Sequence, residues 1–144
     1  MARIRSMKPE FRRSRTITSW PRDVRLAFAL LWGYCDDEGR GEDDLALLKA
    51  DLFPRDRDVS EKKLDNWLWL MCEKRPDPPL CRYRVDGADY LHCTHWTEHQ
   101  KISHPKPSSI PPCPVHELHM SGLIRSRDGV TTHSFTSDSG GDPE

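Results

Sequence analysis

Apolar residues recur with the period of a helix in the middle of the chain. From Leu64 to Met71 they fall at positions i, i+3, i+4 and i+7, which makes one stripe along a helical face. Ser60 precedes the stripe and is a favourable N-cap residue. The pattern therefore predicts a helix from Ser60 to about Lys74.

Two further helices are predicted upstream of this one. The first runs from about Pro21 to Cys35 and is so rich in apolar residues that we expect it in the core. The second runs from Glu42 to Phe53, with leucines spaced for one face, and Pro54 stops it. Three helices therefore lie in the first half of the chain.

A β-hairpin is predicted after the third helix. Asp86-Gly87 supplies two residues that tolerate positive φ, as a type I′ turn requires. Counting outward from the turn predicts four cross-strand pairs: Val85 with Ala88, Arg84 with Asp89, Tyr83 with Tyr90, and Arg82 with Leu91. The two tyrosines then share one face of the hairpin, and the two arginines project from the other face.

The order of these elements predicts the fold class. Three helices plus a two-stranded β-hairpin wing make an α+β winged helix-turn-helix. We expect an extended basic N-terminal arm over residues 1–16 and the winged-helix domain over 17–103, with one helical turn near Trp96. Five prolines in residues 104–114 predict an unpacked Pro-rich linker, and the polar residues 115–144, with a net charge of −3, predict a disordered acidic tail.

Charge is unevenly distributed, although the net charge is only −1. Residues 1–25 hold eight Lys or Arg against two acids, and residues 36–44 hold six acids against one Arg. The acidic run fails the spacing of a calcium-binding EF-hand, so we interpret it as a solvated turn. No apolar run is long enough to span a bilayer and no signal peptide is visible, so we expect no membrane partner and a cytoplasmic location.

The cysteines and histidines leave a metal site open as an alternative. Five cysteines at uneven spacing fit reduced thiols better than a disulfide framework. Two groups, Cys93-x-His95-x₃-His99 and Cys113-x₂-His116-x₂-His119, contain zinc-binding residue types, but their spacing matches no standard finger. We predict no metal and no other cofactor. Without a Gly-rich phosphate loop or a nucleophile elbow, we also predict no enzymatic activity.

DNA binding is the chemistry that these elements predict. Cations on the arm, the wing and the exit segment would contact phosphates, and the outer face of the third helix would read bases. The candidate DNA-binding residues are Arg3, Arg5, Lys8, Arg12, Arg13, Lys62, Lys63, Asn66, Arg82, Arg84, Lys101 and Lys106. Asp65 and Glu61 beside the reading face would repel phosphate, and surface cations on a chain that is 31% charged often serve only solubility.

A resemblance to a known family runs through residues 2–111, carried in order by five segments: ARIRSMKPEF, RDVRLAFALLWGYCDDEGR, LKADLFP, YRVDGADYLHCTHW and HQKISHPKPSSIP. The chain resembles small phage and prophage winged-helix proteins of the replication-initiation type, and is similar to the N-terminal domain of DnaD-type replisome organisers. The resemblance implies a winged helix, double-stranded origin or operator DNA as partner, and self-association, which we expect as a homodimer. Replisome proteins are a further candidate partner. The alternatives are a transcriptional regulator of the same fold and an adaptor that binds proteins instead of DNA.

Overall fold

The structure is a computed structural model that describes residues 4–73 and 77–116. Its elements follow in chain order: α1 (Pro9–Arg13), α2 (Arg15–Thr18), α3 (Arg22–Tyr34), β1 (Arg40–Glu42), α4 (Leu45–Leu52), α5 (Glu61–Met71), β2 (Leu80–Val85), β3 (Ala88–Cys93) and α6 (Trp96–His99). Across these two ranges, every helix is too short or too polar to cross a membrane. Most of the tail predicted for residues 115–144 lies outside the described residues, because the second range ends at 116.

The three strands form one antiparallel sheet in the order β1-β3-β2. All four predicted pairs across the hairpin are confirmed, and the turn residues Asp86 and Gly87 have φ of 50° and 81°. The α+β class is therefore confirmed. The expectation of a two-stranded sheet is wrong, because Arg40–Glu42 pairs with β3 as a third strand, with Gly41 opposite Leu91.

The three predicted helices correspond to α3, α4 and α5, with shorter bounds. Ser60 caps α5 as expected, since its hydroxyl accepts a hydrogen bond from the Lys63 N–H at 3.0 Å. The start of α4 moves from Glu42 to Leu45 because Asp44 caps it, accepting bonds from two backbone N–H groups at 3.0 and 3.2 Å. Glu42 is thereby left outside the helix and pairs in β1.

The N-terminal segment is not the extended arm that its composition predicted. Within the described part, α1 begins at Pro9, a residue suited to the first helical turn, and Ser14 caps α2 through a 3.2 Å bond from the Ile17 N–H. Phe11 anchors the segment, since its ring packs edge-on to Trp32 with the centroids 5.1 Å apart. The two short helices are thus held by a contact with α3 that sequence periodicity does not reveal.

The core lies between α3, α5 and one face of the sheet. Phe28 of α3, Leu64 and Leu68 of α5 and Leu91 of β3 are all fully buried in a single hydrophobic cluster. A second, smaller cluster lies around Cys81, Tyr83 and Cys113, and it includes part of the Pro-rich segment. The Pro-rich segment is therefore packed against the protein at Cys113, although residues 104–107 are exposed, which corrects part of the expectation of an unpacked linker.

Candidate functional site

The solvent face of α5 carries the base-reading residues that the sequence predicted. Lys62, Lys63 and Asn66 are exposed, while Leu64 and Leu68 on the opposite side of the helix are fully buried. The burial of one stripe fixes which side of the helix faces outward. The structure therefore presents two lysines and one amide together on an open helical surface.

Asp65 lies beside this surface but is paired with the sheet. Its carboxylate is 2.9 Å from Nη2 of Arg82, so its negative charge is partly neutralised. Glu61 stays exposed at the first turn of the helix, where an acid stabilises the helix dipole. Both acidic residues near the reading face therefore have a structural role. The sequence alone indicated only that they would repel DNA phosphates.

Arg82 is a buried structural cation. Its guanidinium makes a two-pronged contact with Asp43, at 2.7 and 2.9 Å, and lies 4.5 Å over the ring of Trp69. Burial by itself lowers the pKa of Arg82, but Asp43 and Asp65 more than compensate and raise that pKa above its ordinary value. Because its donors face inward, Arg82 is not placed to contact a DNA phosphate.

Arg5 is also directed into the protein. Its guanidinium donates to the carbonyls of Trp32 and Cys35 at 3.0 and 2.9 Å and to the Asp37 carboxylate at 3.1 Å. It also lies 5.1 Å over the ring of Trp96. Arg5 therefore ties the N-terminal segment to the end of α3, and we leave both Arg5 and Arg82 out of the candidate interface.

The other predicted DNA-binding cations have different surroundings. Lys8 is half-buried and its Nζ donates to the Glu98 carbonyl at 2.6 Å. Arg84 is exposed and paired across the hairpin with Asp89 at 2.7 Å, as the strand register predicted. The remaining cations in the described ranges are exposed: Arg12, Arg13, Lys101 and Lys106. Arg3 lies outside the described residues.

The acidic turn at residues 36–38 is not simply solvated, which corrects the interpretation made from its composition. The Asp37 carboxylate accepts from Arg5 and from the backbone N–H of Lys106 at 2.9 Å, and its carbonyl accepts from the Trp96 indole at 2.8 Å. Ser108 donates to the Asp36 carboxylate at 2.5 Å. The turn therefore binds the N-terminal segment, α6 and the Pro-rich segment.

An open cleft of about 740 Å³ lies beside this turn. The end of α3, the acidic turn, α4 and the Pro-rich segment all contribute to it. Leu47 of α4 is on its wall and is 47% exposed. The cleft combines carboxylates with apolar side chains and could hold an extended peptide.

The first of the two groups considered for the alternative zinc site does not converge. Cys93 is buried with its Sγ 3.8 Å from that of Cys35. His95 pairs with Asp77 at 2.6 Å, and the ring of His99 stacks on Trp32 with the centroids 4.8 Å apart. Each of the three residues thus faces different neighbours.

Two members of the second group do meet, together with a cysteine that sequence spacing did not select. Cys81 of β2, Cys113 and His116 place their ligand atoms within 4.8 Å of one another. A hydrogen bond from Cys81 is the main cause that lowers the pKa of Cys113 to about 4, while burial raises the pKa of Cys81. The cross-strand register could have identified Cys81, because it lies opposite His92. His119 is outside the described residues.

No protein-family model, curated protein or solved structure matches this chain.

Proposed function

We propose that this chain is a winged-helix protein that binds double-stranded DNA through α5. The order α3-β1-α4-α5-β2-β3, with a sheet in the order β1-β3-β2, supports a winged-helix assignment. The observation that carries the DNA proposal is the outward face of α5. Lys62, Lys63 and Asn66 are open there, while the neighbouring Asp65 is held by Arg82.

In this proposal α5 enters the major groove. The Asn66 amide can donate to and accept from one adenine edge, which makes it the candidate for sequence readout. Lys62 and Lys63 flank it and would contact phosphates or guanine edges. Arg84, two residues from the hairpin turn, is the wing candidate, because a phosphate can replace the exposed carboxylate of Asp89 as its partner.

The biological role follows from the resemblance and is proposed on that ground. We propose a function in replication initiation or its control, with a homodimer and replisome proteins as further partners. A transcriptional regulator of the same fold would use the same face of α5. The two roles differ in where the binding site lies, at an origin or at a promoter, and not in the chemistry of the contact.

Fluorescence anisotropy with a fluorescein-labelled duplex tests the proposal. Binding should weaken steeply with salt, with a log–log slope near −0.9 for each phosphate neutralised. Replacing both lysines, Lys62→Ala with Lys63→Ala, should reduce affinity and make that slope shallower. Arg22→Ala is the matched control, since Arg22 is an exposed cation at the start of α3 and is not part of α5.

The outcomes separate specific docking from general charge attraction. Equal losses for the double variant and for Arg22→Ala would overturn the placement of α5 at the DNA. Asn66→Ala should keep the salt slope but reduce discrimination between duplexes selected from a random library and mismatched ones. Unchanged discrimination would remove Asn66 from the readout.

An adaptor that binds a protein segment is the second candidate, and the cleft beside the acidic turn favours it. Its wall includes Leu47, and Arg40 and Lys106 also line it. Absence of any salt-dependent DNA binding by the folded chain would leave this candidate ahead of the DNA proposal. Loss of peptide capture in a Leu47→Asp variant would then locate the binding surface.

A further inference from the structure

The cluster around Cys81 has the composition of a closed metal centre. Cys81 and Cys113 are buried thiols, and His116 follows Cys113 by three residues, so one turn of chain presents both side chains. The ligand atoms of these three residues lie within 4.8 Å of one another. All five cysteines lie in the described ranges, and none of them is in a disulfide.

The separation of the two sulfurs fits a shared ion. Two thiolates bound to tetrahedral zinc at about 2.3 Å are about 3.8 Å apart. The Sγ atoms of Cys81 and Cys113 are 3.5 Å apart, close to that value and far longer than the ~2.05 Å of a disulfide. A zinc ion could therefore bind between the two sulfurs with little movement of either side chain.

His92 lies beside these three residues and is the candidate for a fourth ligand. It is the cross-strand partner of Cys81, so both side chains leave the sheet on one face, and its ring lies 5.4 Å from that of His116. Its Nδ1 is buried and has no hydrogen-bond partner among the described residues. A buried imidazole nitrogen with no partner is costly, and coordination of a metal would satisfy it.

From this arrangement we propose a structural zinc site that fastens the Pro-rich segment to the sheet, with four ligands: Cys81, His92, Cys113 and His116. Two sulfurs and two imidazoles are a ligand set that zinc prefers, and four protein ligands leave no open position for a substrate. Two ligands come from the sheet, one from the Pro-rich segment (Cys113) and one from just beyond that segment (His116). The site therefore goes beyond DNA binding and does not depend on it.

Metal content and affinity of the full chain test the site directly. Protein purified with reductant and without chelator should contain one zinc per chain by mass spectrometry of the metal. Cobalt substituted for zinc should give the intense visible bands of a tetrahedral centre and the charge-transfer bands of thiolate ligands. The cobalt spectrum reads the ligand set in the unaltered protein, so it holds even where a variant fails to fold.

Matched variants identify the ligands. Cys113→Ala should lower zinc affinity by at least about 100-fold, because even groups that only support a ligand contribute about 10- to 100-fold. Cys93→Ala is the control, since Cys93 is buried beside another thiol at 3.8 Å but outside the cluster. Equal zinc affinity in the two variants would overturn the site.

The fourth ligand has its own comparison. His92→Ala should weaken zinc binding and remove one nitrogen ligand from the cobalt spectrum, whereas His119→Ala should leave both unchanged. The reverse result would overturn the assignment of His92. Protein that lacks zinc and carries a Cys81–Cys113 disulfide in peptide mapping would overturn the proposal as a whole.

Zinc should also order the segment that it fastens. Removing the metal with a chelator should speed amide hydrogen exchange in residues 104–113, while exchange in α3 should stay slow. Unchanged exchange in the Pro-rich segment after complete metal removal would contradict the fastening role.

Discussion

Arg82 and Arg84 are two residues apart on one strand, yet their surroundings give them very different contributions to the stability of the fold. The Arg82 side chain is 7% exposed and paired with Asp43 and Asp65, whereas that of Arg84 is 50% exposed and paired with Asp89. Sequence alone counts both as cations on one face of the hairpin. Their difference arises from Asp43 and from Asp65 and Trp69 of α5, which surround Arg82 and do not reach Arg84.

Replacing Arg82 should therefore destabilise the fold. Arg82→Ala leaves the buried carboxylate of Asp43 without its partner, which should lower the free energy of unfolding by about 3–5 kcal/mol. Arg84→Ala should change it little, because solvent screens an exposed pair. Urea unfolding followed by far-UV circular dichroism compares the two variants, and equal effects would contradict the burial argument.

His95 should make stability depend on pH in the opposite direction to most acidic pairs. Partial burial by itself lowers the pKa of His95, but Asp77 and Glu98 raise it above its ordinary value of 6.5 on balance. The folded pKa is higher than the unfolded one, so the stabilisation is complete below pH 6.5 and is lost as pH rises through the folded pKa.

The variant His95→Asn tests this dependence, because asparagine tolerates the left-handed conformation of position 95, where φ is 57°. The unfolding free energy of the wild type minus that of the variant should decrease as the pH rises above 6.5. A difference that is constant with pH would show that folding leaves the pKa of His95 unchanged, and would contradict the contribution of Asp77 and Glu98.

At the scale of elements, the sequence pattern predicts a helix or strand correctly where that segment carries its own stripe of buried apolar residues. The helix α5 and the hairpin register followed from the sequence, because Ser60 and Asp86-Gly87 mark their boundaries with specific backbone chemistry. The strand β1 was missed because three residues, Arg40–Glu42, are too few to show alternation. Their pairing depends on β3, which lies about fifty residues further along the chain.

The Pro-rich segment was missed for a related reason. Its prolines exclude a helix or strand, but they do not exclude docking through side chains and carbonyls from elsewhere. Tyr83 donates a hydrogen bond to the Pro111 carbonyl at 2.6 Å, and Arg40 donates to that of Ile110 at 3.2 Å. Long-range partners of this kind leave no periodic signal in the sequence.

Tyr83→Phe should loosen this docking. The loss of one buried hydrogen bond should lower the free energy of unfolding by about 1 kcal/mol and speed amide exchange in residues 104–113. Tyr90→Phe is the control, because Tyr90 lies opposite Tyr83 on the same face and its hydroxyl has no hydrogen-bond partner in the described ranges. Equal amide exchange in both variants would show that the hydrogen bond from Tyr83 to Pro111 does not hold the Pro-rich segment in place.

At the scale of the whole molecule, the separated charges partly neutralise each other inside the fold. The basic N-terminal segment contacts the acidic turn through Arg5 and Asp37, so part of the positive charge counted in residues 1–25 is not available to a ligand. The cations of α1, Arg12 and Arg13, remain exposed. The candidate interface is therefore smaller than the sequence indicated, but it is carried by ordered elements.

The exposed cations of α1 and the buried contacts of the N-terminal segment can be tested separately. A deletion would remove both, and so would change DNA affinity and stability together. Deleting residues 1–15 should weaken binding to all duplexes and also lower the melting temperature, because Phe11 and Arg5 are removed from their contacts with α3. Arg12→Ala with Arg13→Ala should weaken binding to all duplexes without that loss of stability. Unchanged affinity in the double variant at moderate salt would exclude α1 from the DNA contact.

The convergence of the N-terminal segment and the Pro-rich segment on the turn at residues 36–38 has a mechanical consequence. The Arg5 side chain and the Lys106 backbone N–H both donate to the carboxylate of Asp37. The Gln100 side chain donates to the Ser6 carbonyl at 2.8 Å and accepts from the Ser6 N–H at 3.0 Å. Tension applied between residue 5 and residue 106 would load these few polar contacts directly and bypass the apolar core. The N-terminal segment and the Pro-rich segment would separate first under force, with the helices and the sheet still intact.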